Sequence, residues 1–195
     1  MRFTLHLFVA GLLCASALFA SPATILQNRI EQLIHRYAPE YDEARPDDPP
    51  PFGLRATGYE SFKSVALRKK SSQAYGDIVA HHTIWIHAYS YPDKDARDKA
   101  LEKWFHCFGS VCDPLLLKNG IGFTKSPPLL AVANDTEIFV LVTRCETLGP
   151  EWDRNKRDFE ERFGSAGQIR IEVEECSGKV SVTPKDQSHD KPHDR

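Results

Sequence analysis

The sequence predicts an α+β domain with a ferredoxin-like split βαβ (βαββαβ) fold: a four-stranded antiparallel sheet with two helices on one face. Three observations predict it. From residue 77 to residue 176 the apolar pattern runs strand, helix, strand, strand, helix, strand. Both helical stretches carry their own start and stop residues. Asn134-Asp135, between two apolar runs, predicts a hairpin, because both residues tolerate positive φ.

The first strand is DIVAHHTIWIHAYSY, residues 77–91, rich in β-branched and aromatic residues. In the helix that follows, Asp93 can cap the N-terminus. Ala96, Ala100, Leu101, Trp104, Phe105 and Phe108 form its stripe, and Gly109 stands at its end. A long loop with Asn119-Gly120 and Gly122 leads to the hairpin PPLLAVANDTEIFVLVTRC. Pro150 opens the second helix, with Trp152, Phe159 and Phe163 on one side and Gly164 at its end. QIRIEVEEC alternates cleanly and reads as the last strand. Upstream, residues 24–37 predict an N-terminal helix, and residues 39–53 an acidic, proline-rich loop. Residues 59–70 fit a short helix or a strand equally. The division expected is therefore 1–20, 21–76, 77–176 as the folded domain, and 177–195 as a polar tail.

Residues 1–20 have the layout of a secretory signal peptide: Arg2, an apolar run too short to span a bilayer, then small residues. Localisation is accordingly expected to be secreted or periplasmic, with no membrane span. Cys14 would leave with the signal. Four cysteines remain, an even number that reads as two disulfides in an exported chain. Any of three pairings is within reach; the local pair Cys107–Cys112 with Cys145–Cys176 is favoured. Zinc fits less well, because four residues separate Cys107 from Cys112, and Cys145 and Cys176 are isolated.

The formal net charge is −2, with both signs interspersed. No nucleic acid is expected as a partner, and the overall balance offers no basic field to an anionic membrane. No G-x-S-x-G, H-E-x-x-H or phosphate-cradling glycine motif is present, and no cofactor is expected.

The histidine-rich strand carries the candidate site. Alternation assigns His82, Ile84, Ile86 and Ala88 to one face and His81, Thr83, Trp85, His87 and Tyr89 to the other. The first set is expected to meet the helices together with Ile138, Val140 and Val142. The second, joined by Phe139 and Leu141, then forms an aromatic face that needs a cover: the N-terminal helix, a protein partner, a second copy or a small molecule. The candidate binding residues are His81, Trp85, His87, Tyr89, Phe139 and Leu141. His81 and His87 lie roughly 20 Å apart along an extended strand, so one metal ion cannot bind both, and no metal is expected. The function expected is an exported, disulfide-stabilised binding or inhibitor-type protein acting through this face. The rival is a secreted hydrolase pairing His81 or His87 with Glu172 or Glu174. The His-Asp repeats at 189–190 and 193–194 read as loose tail features. Asn134-Asp135-Thr136 is a glycosylation sequon on an exposed turn.

Overall fold

A computed structural model of the chain describes residues 22–45, 54, 57–164 and 169–184. The expected signal peptide, most of the proline-rich segment and the His-Asp repeats lie outside the described residues. Three helices are described: α1 (Pro22–Tyr37), α2 (Lys94–His106) and α3 (Pro150–Phe163). Eight strands are β1 (Tyr41–Ala44), β2 (Ser61–Tyr75), β3 (Ile78–Ser90), β4 (Ile121–Phe123), β5 (Leu129–Ala133), β6 (Glu137–Thr143), β7 (Ile169–Val173) and β8 (Lys179–Pro184). They form one antiparallel sheet in the order β1-β2-β3-β6-β5-β7-β8-β4.

Local signals act as the sequence predicts. Asp93 caps α2, its carboxylate accepting from the Ala96 amide at 2.8 Å. Pro150 sits in the first turn of α3, where its missing N–H costs nothing. At the β5–β6 hairpin the Asn134 side chain accepts from the amides of Thr136 and Glu137. The disulfides join Cys107 to Cys112 and Cys145 to Cys176.

The four-stranded ferredoxin-like sheet is overturned. In that fold β7 would lie on the free edge of β3. Here the long strand β2, of which the sequence leaves only residues 61–70 open between helix and strand, occupies that edge, and β7 pairs with β5 instead. This moves a helix. Strand crossovers to a parallel partner are right-handed. The crossovers β3-α2-β5 and β6-α3-β7 start from antiparallel strands and progress the same way across the sheet. Right-handedness therefore requires α2 and α3 on opposite faces, and not together on one.

The packing agrees. Leu26, Ile30 and Leu33 of α1 and Trp152, Phe159 and Phe163 of α3 pack with Val65, Leu67, Ile84, Ile86, Phe139 and Leu141. Ala100, Leu101 and Trp104 of α2 pack on the other face with Ala131, Ile138, Val140, Ile171, Val173 and Val180. The chain is thus three layers, two helices over one face of the sheet and one over the other. β8 runs through residues that read as the start of the polar tail.

Candidate functional site

β3 carries the predicted residues, and register decides which of them meet. Trp85 stands opposite Val142 and Tyr89 opposite Ile138, whereas Ile86 stands opposite Leu141 and Ala88 opposite Phe139. Directly opposed residues share a face. His81, Trp85, His87 and Tyr89 therefore lie on the α2 side. Phe139 and Leu141 lie on the other, where the Phe139 ring stacks on Phe163 at 4.2 Å. The expected face of six residues is divided between the two sides of the sheet.

Of the α2-side set only His81 is partly exposed. Trp85 is 1% exposed, and His87 and Tyr89 are equally buried. The Arg144 guanidinium lies 5.1 Å from the centre of the Trp85 ring. Leu54 packs into the cluster that holds Tyr89 and Tyr91, and Thr57 meets the Tyr91 hydroxyl at 3.0 Å. The N-terminal helix, expected as a possible cover here, lies on the opposite face. His87 Nδ1 meets Ser64 Oγ at 2.9 Å, and the half-exposed Phe62 ring stacks over the imidazole. His81 Nδ1 meets the Lys69 carbonyl at 2.7 Å.

The carboxylates of the rival hydrolase are elsewhere. Glu172 lies on the α3 side of β7, in ion pairs with Lys156 and Arg170, and these partners hold its carboxyl below the usual range against the desolvation that would raise it. Strands β6 and β5 separate β3 from β7, roughly 14 Å at ordinary strand spacing. Neither His81 nor His87 reaches Glu172 to share a proton. Among the described residues, no group of three or more His, Cys, Asp or Glu is placed to hold a metal ion.

His82 is also buried, on the α3 side of β3. Burial pushes its pKa down to about 4. It belongs to a polar chain under the N-terminal part of α3. Lys69 donates to Glu151 at 2.6 Å, Tyr41 donates to the other Glu151 oxygen at 2.6 Å, and Asn155 donates to Tyr41 at 3.1 Å and to His82 Nε2 at 3.0 Å. This network joins β1, β2, β3 and α3, and leaves the buried Asn155 Oδ1 without a hydrogen-bond partner among the described residues.

Exposed apolar surface gathers instead in a hairpin where the sequence predicts a long loop. Lys118 and Ile121 exchange backbone hydrogen bonds around Asn119-Gly120. Both turn residues have positive φ, 54° and 75°, as a two-residue primed turn requires. Leu116 is 82% exposed, Phe123 77% and Ile121 43%. Comparison with protein-family models, with curated proteins and with solved structures finds no match for the chain. The hairpin is thus read from its own residues.

Their directions follow from register. Gly122 stands opposite Val180, a residue of the α2-side core, so Ile121 and Phe123 point to the other side. A Cβ on Gly122 would meet the Leu115 and Leu117 side chains, which places those two on the α2 side and, by alternation, Leu116 and Lys118 with Ile121 and Phe123. Lys179 stands opposite Phe123 on the same side. The signal was present in K-N-G-I flanked by apolar residues, the strongest short-range hairpin pattern.

Backbone hydrogen bonds tie the hairpin to the stapled end of the sheet. The Ser110 amide donates to the Lys125 carbonyl at 2.7 Å, the Thr124 amide to the Gly178 carbonyl at 3.1 Å, and the Ser177 amide to the Ser126 carbonyl at 3.1 Å. One disulfide closes the loop that contains Ser110, and the other ends beside Ser177. The Leu115 amide donates to the Phe105 carbonyl at 2.7 Å, so the hairpin is held on both arms and its apolar side chains are presented on a fixed frame.

Proposed function

We propose that this chain is an exported binding protein that engages its partner through the hairpin Leu116–Phe123, and not an enzyme working on the sheet face. One observation carries the reading: Leu116, Ile121 and Phe123 are exposed together on one side of a braced hairpin. Isolated exposed apolar residues are ordinary, but large ones held side by side mark an interaction site. The burial of Trp85, His87 and Tyr89 moves the binding surface away from the aromatic face. Export rests on the leader-like residues 1–20 and on the two disulfides, which persist in oxidising compartments. The partition of His87 and Glu172 onto opposite sides of the sheet weighs against the hydrolase.

The test separates structural from functional apolar surface. The double variant Leu116→Ser, Phe123→Ser should melt within about 2 °C of the parent protein, because surface substitutions away from structural features change stability little. A fall of many degrees would assign these side chains to the fold and remove the binding reading.

A further inference from the structure

We infer that the occupant of this hairpin surface is an anionic membrane surface, on which the protein docks peripherally. This rests on the binding reading above and names its partner. In a chain of formal net charge −2, residues 115–125 read LLLKNGIGFTK, with two lysines and no acidic residue. Charge and apolarity are also ordered in space. Ile121 is bridged to Lys118, and Phe123 stands opposite Lys179, on the side where Leu116 is exposed. Ile121 and Phe123 therefore each have a lysine beside them. That is the arrangement an interface wants: apolar groups enter the boundary between headgroups and acyl chains, and lysine stems lie along it with their ammonium groups among the phosphates.

Among the described residues, Lys179 has one competing partner, Glu174, at 3.9 Å. Both side chains are about half exposed, so that pair is weak and can yield to a lipid phosphate. Lys118 and Lys125 are exposed. Lysine also suits a diffuse anionic surface better than a planar, bidentate protein carboxylate site, where arginine is favoured. No helix among the described residues is long and apolar enough to cross a membrane.

The full chain, with both disulfides formed, is mixed with vesicles of phosphatidylcholine alone or with about one third phosphatidylserine, and sedimented. Binding is expected on the anionic vesicles, with release on raising salt to about 0.5 M as the charges are screened. Phe123→Ser should weaken binding about tenfold or more, the loss expected for one large apolar side chain. Lys118→Glu should weaken it on anionic vesicles and leave the little binding to neutral ones unchanged. Absence of binding, or binding unaffected by Phe123→Ser, overturns the inference. So does a concentration-dependent dimer dispersed by Phe123→Ser, since the occupant is then a second copy. If Leu116→Ser, Phe123→Ser leaves the melting temperature unchanged but no vesicle binding is found, the membrane is wrong and the binding surface stands. If the double variant unfolds, the surface itself is wrong.

Discussion

Asn155 donates from Nδ2 to Nε2 of His82 at 3.0 Å, and this contact fixes the tautomer of a buried ring. The Thr147 carbonyl, 3.2 Å from Nδ1, can only accept, so the His82 proton sits on Nδ1 and Nε2 receives the Asn155 hydrogen. A second proton on Nε2 would meet the Asn155 amide hydrogen head on.

That arrangement makes stability depend on mild acid. His82 has a folded pKa near 4 against 6.5 for the free side chain, chiefly from burial. Between these values the unfolded chain binds a proton that the folded chain refuses. The contribution of His82 is therefore complete above pH 6.5 and is lost as pH falls to 4, on the order of 3 kcal/mol over the window. Glu151 and Glu172, both held below their usual pKa, lose their contributions only at lower pH. Melting temperatures taken from pH 7 to pH 4 should fall steadily, and His82→Gln should flatten the upper part of that slope. An unchanged slope in the variant would show that another group titrates there.

Glu151 anchors the other end of the same chain. Lys69 and Tyr41 both donate to it, and Lys69 and Glu151 are each largely buried. Glu151→Gln leaves the ammonium without its opposite charge, apart from Glu40 at 3.9 Å. Breaking one side of a buried pair commonly costs about 3 kcal/mol. Chemical denaturation should show the midpoint falling with the slope unchanged. A variant as stable as the parent would mean that Glu40 compensates fully.

How much of this was legible in the sequence depends on how each strand is buried. The helices announced themselves through Asp93, Pro150 and their stripes, and the cysteine pairs came out as favoured. Register did not, and the reason is visible in β5 and β6. LLAVA and EIFVLVT are apolar on both faces because helices cover both sides of the sheet. Without alternation, nothing says whether Phe139 or Ile138 accompanies Trp85. The same runs did hold a clue to the fold, since double-sided burial is hard to reconcile with two helices on one face. β2 was obscured differently. Its register shifts between Arg68 and Ser72, which breaks the two-residue period in mid-strand. The proposed binding surface was hidden by averaging, because a net charge of −2 conceals a stretch of residues 115–125 with no acid at all.

The two disulfides should contribute unequally. Cys145–Cys176 closes a separation of 31 residues and Cys107–Cys112 one of 5. On loop-closure grounds the first constrains the unfolded chain by about 3.5 kcal/mol and the second by about 2 kcal/mol. Paired serine variants should therefore lower the melting temperature in that order. Equal losses would point to contacts around Cys107–Cys112 as its main contribution.

Trp85 belongs to the core. Trp85→Ala should cost about 3–5 kcal/mol, as removal of a large buried aromatic does. Deleting α1 should leave Trp85 as buried as before, since that helix packs on Ile84 and Ile86 across the sheet. Acrylamide quenching in a protein retaining Trp85 as its single tryptophan reads this directly. A rise in quenching on removing residues 22–37 would mean that the helix protects the α2 side as well.

Gly120 is the hinge on which the hairpin depends. Its φ is +75°, and a Cβ there would stand 2.6 Å from the Val182 carbonyl oxygen, a backbone atom with little room to move. The Val182 amide donates back to the Gly120 carbonyl at 2.7 Å, so the turn and β8 hold each other. Gly120→Ala meets both the left-handed backbone and the carbonyl, at a cost of about 1–3 kcal/mol. Because the collision falls on β8 and the turn, the loss should be local. Amide exchange should accelerate at Lys118, Ile121 and Val182 while Ile86 and Val140 in the central strands stay protected. Vesicle binding should fall in the same variant although Leu116, Ile121 and Phe123 are all retained, since a loosened hairpin no longer presents them on one side. Full binding by a Gly120→Ala protein with accelerated exchange would show that these side chains act without the frame that holds them.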